Sequence, residues 1–505
     1  MSPCYPDKRR LHMSDVETRE NMEPSGRPSR SVDEPGAVSG LRGRMGTAEL
    51  VLAVLAFAAP LATVSGVFPI VIMYGGAGAP VSYAVATTML LLFAIALGAM
   101  ARKVPNAGGF YAYITAGLGR RLGLGGGMLA IFSYWLIAVA CYVFLGSAIS
   151  RMVVELGGPE VPWYVCQWVA LVIIGVFGYL NIELSAKVLS TVMVLEVLIV
   201  VVFDLVVGAS GGAEGFSLAP LGVNAFLSGN VGVGVLFAAF CFLGFESTAI
   251  YREEARNPEK TIPRAMWVSV LSIGIFYVVS ALMLVLAFGQ EKAVSIANED
   301  PSAMFTAAVA SNLGPVAVDI VGILLATSVF ASMLAVQNML SRYLYSFGQD
   351  GVLPKRLGST HPRHRSPAVA SVIVTVAILI GSVPFAFAEG DEMMVYAHIS
   401  GVGIYAITVL MLMASIAVVA YFRRQGAQGM SVWQTAVIPV IATLGLGAVV
   451  VLATLNFEHM TELTGVLSIL LVLLTFAVVV AGVLLATVLR SQRPQAYQRI
   501  GRQQG

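Results

Sequence analysis

Two carboxylates stand where this chain should be surrounded by hydrocarbon. Glu246 closes the apolar run L-F-A-A-F-C-F-L-G-F-E from Leu236, two residues after Gly244. Glu196 lies at the centre of V-M-V-L-E-V-L-I-V, Val192 to Val200. An acid at membrane depth is costly and marks a functional position by default. Remote from cations, its neutral form is favoured, so such a group can take up and release a proton. The bland alternative is that each acid hydrogen-bonds a neighbouring helix. Gly244 beside Glu246 suggests a helix break, which is tolerated at that depth only where the backbone lines a cavity. An unbroken helix with a packing Gly is the competing reading.

These groups need spans to hold them. Of the 505 residues 57% are hydrophobic and 11% charged, against about 25% charged in soluble domains. Apolar runs long enough to cross a bilayer recur along the chain. They are read at 48–73, 80–101, 124–153, 162–180, 186–208, 231–251, 263–288, 315–346, 367–388, 394–422, 432–454 and 463–489. The fold class is therefore an all-α polytopic membrane protein of about twelve transmembrane helices, spanning 46–490. Residues 1–45 are polar and too poor in apolar side chains for a core, which predicts a disordered tail; 491–505 form a second tail. With the N-terminus inside, every Lys and Arg except Arg151 and Lys292 falls on an inner segment. The positive-inside rule then places both termini in the cytoplasm and the chain in the cell membrane.

Composition also excludes. Cys4, Cys141, Cys166 and Cys241 show no paired spacing, so neither a disulfide nor a metal cluster is expected. No phosphate-cradling loop occurs in a soluble segment, and no cofactor is expected. A net charge of +2 gives no sign of nucleic acid.

Span 1 carries Pro60, Ser65, Gly66 and Pro69, which predicts a second break, near Thr63 to Gly66. Interrupted helices at matching places in two five-span halves point to an inverted-repeat transporter with its site between them. The halves are 46–210 and 225–425, with extra helices at 430–490. Asp204 is read as interfacial. Thr327, Ser328 and Ser332 are read as helix–helix glue sooner than ion ligands, His398 as a packing histidine, and P-N-A-G-G-F-Y-A-Y (Pro105 to Tyr113) as an inner or re-entrant loop.

Three stretches together resemble the amino acid–polyamine–organocation permeases. They are T-V-S-G-V-F at Thr63 to Phe68, G-F-E at Gly244 to Glu246 followed by E-E-A-R-N-P-E-K-T-I-P-R-A, and R-Y-L-Y-S-F-G-Q-D-G-V-L-P at Arg342 to Pro354. The resemblance runs from about Ala48 into the C-terminal spans. It implies a leucine-transporter-like fold, a 5+5 inverted repeat with helices 1 and 6 broken, and transport of amino acids or related amines with protons or by exchange. It also implies that Ser65 and Gly66, with Val67 beside them, hold the substrate carboxylate. The carbonyls of Ala62, Phe240 and Leu243 would take the amine, with Phe242 and Gly244 completing the second break. Phe240 stands where the arginine–agmatine exchanger has a gating Trp. Glu196 falls where some proton-coupled relatives have a Lys, and Glu246 keeps that exchanger's Glu. A half-helix starting at Gly66 would offer free N–H groups to a carboxylate, and one ending near Leu243 would offer carbonyls to an ammonium.

The expected function is proton-coupled import of amino acids or amines, most simply neutral ones, with exchange as the alternative. A major-facilitator transporter would want an Asp before Gly119-Arg120-Arg121, and the paired breaks disfavour it. A non-transporting amino acid sensor would want a large soluble output domain. A channel would want a legible filter or charged ring.

Overall fold

Why these residues form helices is simple: backbone polar groups in hydrocarbon must be paired within their own segment. The computed structural model describes residues 45–104, 108–180, 186–253, 255–364, 366–387, 392–461 and 463–501. Most of the tail read at 1–45, and Pro105 to Ala107 of the first loop, lie outside them. Twelve helical stretches are long and apolar enough to cross a membrane, and among the described residues no strand forms beyond one isolated bridge, Met45 with Ala255.

Span 1 is built from Thr47–Ala58, Pro60–Gly66 and Phe68–Gly75, and joins span 2 (Ala79–Ala101) through the 3-10 turn Gly76–Gly78. Span 3 is Arg120–Glu155, span 4 Trp163–Leu180 and span 5 Ala186–Ser210. Span 6 is Val231–Phe240, then the 3-10 helix Phe245–Glu253. Spans 7 to 10 are Pro258–Phe288, Pro315–Gln349, Ala368–Ala386 and Glu392–Gln425. Span 11 is Ile438–Leu455 and span 12 Val466–Gln492. The bundle face where Thr47 begins is called the N face below, and the opposite one the far face.

Span 6 is the centre of the bundle, with 89% of its most apolar window buried, and span 12 is the rim, with 17%. Span 10 packs along span 3, and span 7 along span 2. The first half of span 1 meets the second half of span 6 on the N face, and the remainder of span 1 meets the first half of span 6 on the far face.

The break in span 1 is not at Thr63 to Gly66. It is at Ala59, which takes the left-handed conformation at φ 45° and ψ 71°. Pro60 is the cause. It has no N–H to continue the ladder and its ring opposes the preceding turn, but it is well suited to start a helix. Gly66 lies inside the new helix, and at Val67 the ladder continues, with Val67 N–H on the Thr63 carbonyl at 2.9 Å and Val71 N–H on the Val67 carbonyl at 2.9 Å. The span 6 break is where Gly244 stands, at φ 109°.

On the far face a glycine seam joins spans 1 and 6. A Cβ on Gly229 would lie 2.3 Å from the Gly75 carbonyl carbon, one on Gly78 2.4 Å from the Phe226 Cα, and one on Gly234 3.1 Å from the Gly75 Cα. Asn230 N–H donates to the Tyr74 carbonyl at 2.7 Å. Also on that face, Arg151 pairs with Glu392 at 3.2 Å, the one salt bridge among the described residues, and donates to Ser302 Oγ at 2.7 Å. One of the two basic residues outside the inner pattern is thus neutralised.

Two shorter pieces matter on the N face. The loop after span 2 folds into the helix Gly109–Leu118, with Tyr111 and Tyr113 fully buried. The stretch read as a C-terminal tail carries a helix, Pro494–Arg499, and its Gly501 is buried. Asp204 is 8% exposed and accepts from Ser280 Oγ of span 7 at 2.6 Å, because its side of span 5 faces the bundle.

Candidate functional site

The two breaks meet at one cavity of about 70 Å³. One water needs roughly 10–15 Å³ by this measure, so the space holds a small group of atoms. Span 1 lines it with Phe57 to Ala59, Ala62, Thr63 and Val67; span 6 with Phe240, Cys241 and Leu243. Span 3 adds Ile137, Cys141 and Phe144, span 8 adds Val329, Ser332, Met333 and Val336, and span 10 adds Tyr396. No charged side chain is among them.

Span 1 lines the cavity because its broken turn needs outside partners. Thr63 Oγ1 donates to the Ala58 carbonyl at 2.9 Å, and Ser332 Oγ donates to the Phe57 carbonyl at 2.8 Å. Those bonds replace two that the ladder cannot supply across Ala59 and Pro60. On the other side of the break, Glu196 accepts from Ser328 Oγ at 2.6 Å and stands near the Leu61 backbone. Spans 5 and 8 are thereby tied together beside the break in span 1. Ser328 and Ser332 do act between helices, as read, and Ser332 acts on the break itself. Thr327 is exposed and bonds back to its own helix.

The span 6 break is held differently. Glu246 accepts the Gly244 N–H at 3.0 Å and the Tyr134 hydroxyl of span 3. Ser247 Oγ closes the turn on the Gly244 carbonyl at 2.6 Å. Gly244 is required twice over: its φ is positive, and a Cβ there would lie 2.3 Å from the Phe57 ring.

The residues expected to hold substrate divide in two. Ala62, Val67, Phe240 and Leu243 line the cavity. Ser65, Gly66, Phe242 and Gly244 do not. Gly66 lies behind Phe144, whose ring would be 2.9 Å from a Cβ added there. Phe242 is fully buried against Tyr277, with ring centroids 5.8 Å apart. Glu196 and Glu246 lie outside the lining, and so do their partners Ser328, Gly244 and Tyr134. Ile137, Cys141, Phe144, Val329, Met333, Val336 and Tyr396 were not anticipated. The sequence gives them no signal beyond apolar periodicity, whereas Pro60 after Ala58-Ala59 was a legible sign of where the break falls.

A profile of the family described as "Amino acid permease" matches residues 50–496. The low-affinity putrescine importer of Escherichia coli (strain K12) is 27% identical over 354 residues, 67% of this chain and 74% of that one. The branched-chain amino acid permease of Bacillus subtilis (strain 168) is 28% identical over 330 residues, 61% of this chain and 68% of that one. The histidine permease of Lactococcus lactis subsp. cremoris (strain MG1363) is 28% identical over 323 residues, 60% of this chain and 65% of that one. With a family match across nearly all of its twelve-span region, this chain belongs to the amino acid permease family.

Proposed function

We propose that this integral membrane protein imports amino acids coupled to protons by alternating access, with its N face in the cytoplasm. The observation that carries the reading is the meeting of two helix breaks at one uncharged cavity, since broken backbone offers fixed donors and acceptors without a charged side chain. The antiparallel meeting of spans 1 and 6 supports two inverted repeats, 46–210 and 225–425. An α-carboxylate and α-ammonium would be held by backbone groups near Ala62 and at Phe240 to Leu243, with Ser65 and Gly66 reached once the Phe144 ring turns aside. The side chain would lie among Ile137, Cys141, Met333 and Val336. That lining favours a zwitterion with a neutral side chain. A dication such as putrescine, the substrate named for one relative, would find no carboxylate in it.

Glu196 is the first candidate for the coupling proton, and Glu246 the second. Glu196 stands near the Leu61 backbone, beside the broken turn that lines the cavity. Protonation removes its negative charge, which would otherwise repel an incoming carboxylate. Proton and substrate would then favour one another's binding, which is the requirement for symport. Exchange of one amino acid for another is the second reading, supported by Glu246 at the span 6 break. The test is an uptake panel in proteoliposomes with neutral amino acids, basic amino acids and diamines, under imposed proton, sodium or counter-substrate gradients. Proton-driven uptake of neutral amino acids is expected. Uptake of diamines alone, or a requirement for sodium, overturns the reading.

A further inference from the structure

The chain's C-terminal stretch is seated in a built site on the N face. Gly501 N–H donates to Asp350 Oδ2 at 3.0 Å and to the Tyr111 hydroxyl at 2.9 Å, while Tyr111 donates to the same Asp350 oxygen at 2.7 Å. Asp350 is 2% exposed and Tyr111 fully buried. Burial first, and then the Asp350 carboxylate, push the Tyr111 hydroxyl far above the usual tyrosine range, so it stays a donor. Ile500 is fully buried, and a Cβ on Gly501, whose φ is +71°, would lie 2.7 Å from Thr115. One helix back, the Arg120 guanidinium lies over the Tyr497 ring at 5.6 Å. Three elements are joined by this one stretch: helix Gly109–Leu118, the end of span 8 and the start of span 3.

The seat is connected to the span 6 break. Tyr111 packs on Phe347 of span 8 at 5.0 Å between centroids. The neighbouring Phe110 lies against Phe93, and Phe93 meets Phe245 edge-on at 6.0 Å. Phe110 also lies near Tyr343, whose ring stands 6.1 Å from Tyr134, the partner of Glu246. Helix Gly109–Leu118 thus lies between the seated stretch and the half-helix Phe245–Glu253.

We propose that the hollow at Asp350 and Tyr111 is a peptide-binding site whose occupant is the chain's own residues 494–501, and that its occupancy slows transport by stiffening the base on which the half-helix Phe245–Glu253 rests. The site concerns rate, so it rests on the transport reading but not on which substrate or ion is used. Opening the cavity to the N face requires that half-helix to leave helix Gly109–Leu118, and a helix clamped to spans 3 and 8 follows it less.

The test compares the full chain with one ending at Arg493, both in proteoliposomes, and adds a synthetic peptide of residues 494–505. Without the stretch the initial uptake rate should rise about fivefold or more, the ratio expected of a modest coupling between sites. The peptide, presented to the N face, should return it to the full-chain value. Gly501→Val, which collides with Thr115 and strains a positive φ, should reproduce the rise in a protein of unchanged length. An unchanged or lower rate in folded, monodisperse Gly501→Val overturns the proposal and leaves the stretch a staple of the fold. So does a raised rate that the peptide fails to lower. If neither chain transports anything in the panel above, the peptide's binding to the shortened chain is still measurable. Absence of that binding overturns the site independently of function.

Discussion

Ser332 of span 8 reaches across the bundle and closes the broken turn of span 1 by donating to the Phe57 carbonyl at 2.8 Å. A hydroxyl on one helix thereby completes the backbone of another, at the wall of the cavity.

Removing that hydroxyl should leave a buried carbonyl without its partner. Ser332→Ala is expected to cost about 1–3 kcal/mol. A lowered melting temperature in detergent and a raised KM for substrate would register it. Ser332→Thr, which keeps the donor, should restore most of both. Equal loss in the two variants would mean that volume, not the bond, matters at this position.

Glu196→Gln keeps the shape of the side chain that meets Ser328 and removes its titration. Wild-type uptake should rise as the outer pH falls, because the loaded form is the protonated one. Glu196→Gln should flatten that profile while leaving substrate exchange largely intact. Should the profile persist there and vanish in Glu246→Gln, the coupling proton sits at the span 6 break.

Gly244 should tolerate nothing larger. Gly244→Ala meets a ring at 2.3 Å and adds about 1–2 kcal/mol for a left-handed residue with a Cβ. Transport should be lost, and a partner substitution that shrinks the obstacle, Phe57→Ala, should return part of it. Full activity in Gly244→Ala alone would remove the close approach from the account.

Cys141 lines the cavity and is half-buried, whereas Cys241 donates to the Phe237 carbonyl at 3.4 Å and meets the Tyr83 hydroxyl at 3.5 Å. An organic mercurial should inhibit uptake, substrate should slow that inhibition, and Cys141→Ser should abolish most of it. Inhibition that survives Cys141→Ser undiminished would place the sensitive thiol elsewhere.

Reading the sequence located the second break better than the first, for a physical reason. At Gly244 a positive φ and a close neighbour both demand glycine, so the residue type and the geometry agree. In span 1 the glycine signal pointed to Gly66, which is there to admit the Phe144 ring, while the break belongs to Pro60 and leaves an Ala in the left-handed region. Spans and their approximate ends followed from apolar length alone. The walls contributed by Ile137, Cys141, Val329, Met333 and Tyr396 were not legible, because a residue facing a cavity and one facing a neighbour obey the same apolar periodicity. The burial of Asp204 was not legible for a related reason: depth can be counted along a helix, but which side faces the bundle requires the other helices.

The glycine seam on the far face leaves no room for side chains between its two sides. Where Gly229 lies on Gly75 and Gly78 on Phe226, main chain touches main chain. A Cβ at any of these places would push the far-face halves of spans 1 and 6 apart. Their N-face halves meet through the Phe57 ring on Gly244 and a short backbone link from Arg256 N–H to the Met45 carbonyl at 2.9 Å. The same two broken helices thus touch main chain to main chain on the far side, and through one ring and one hydrogen bond on the N face.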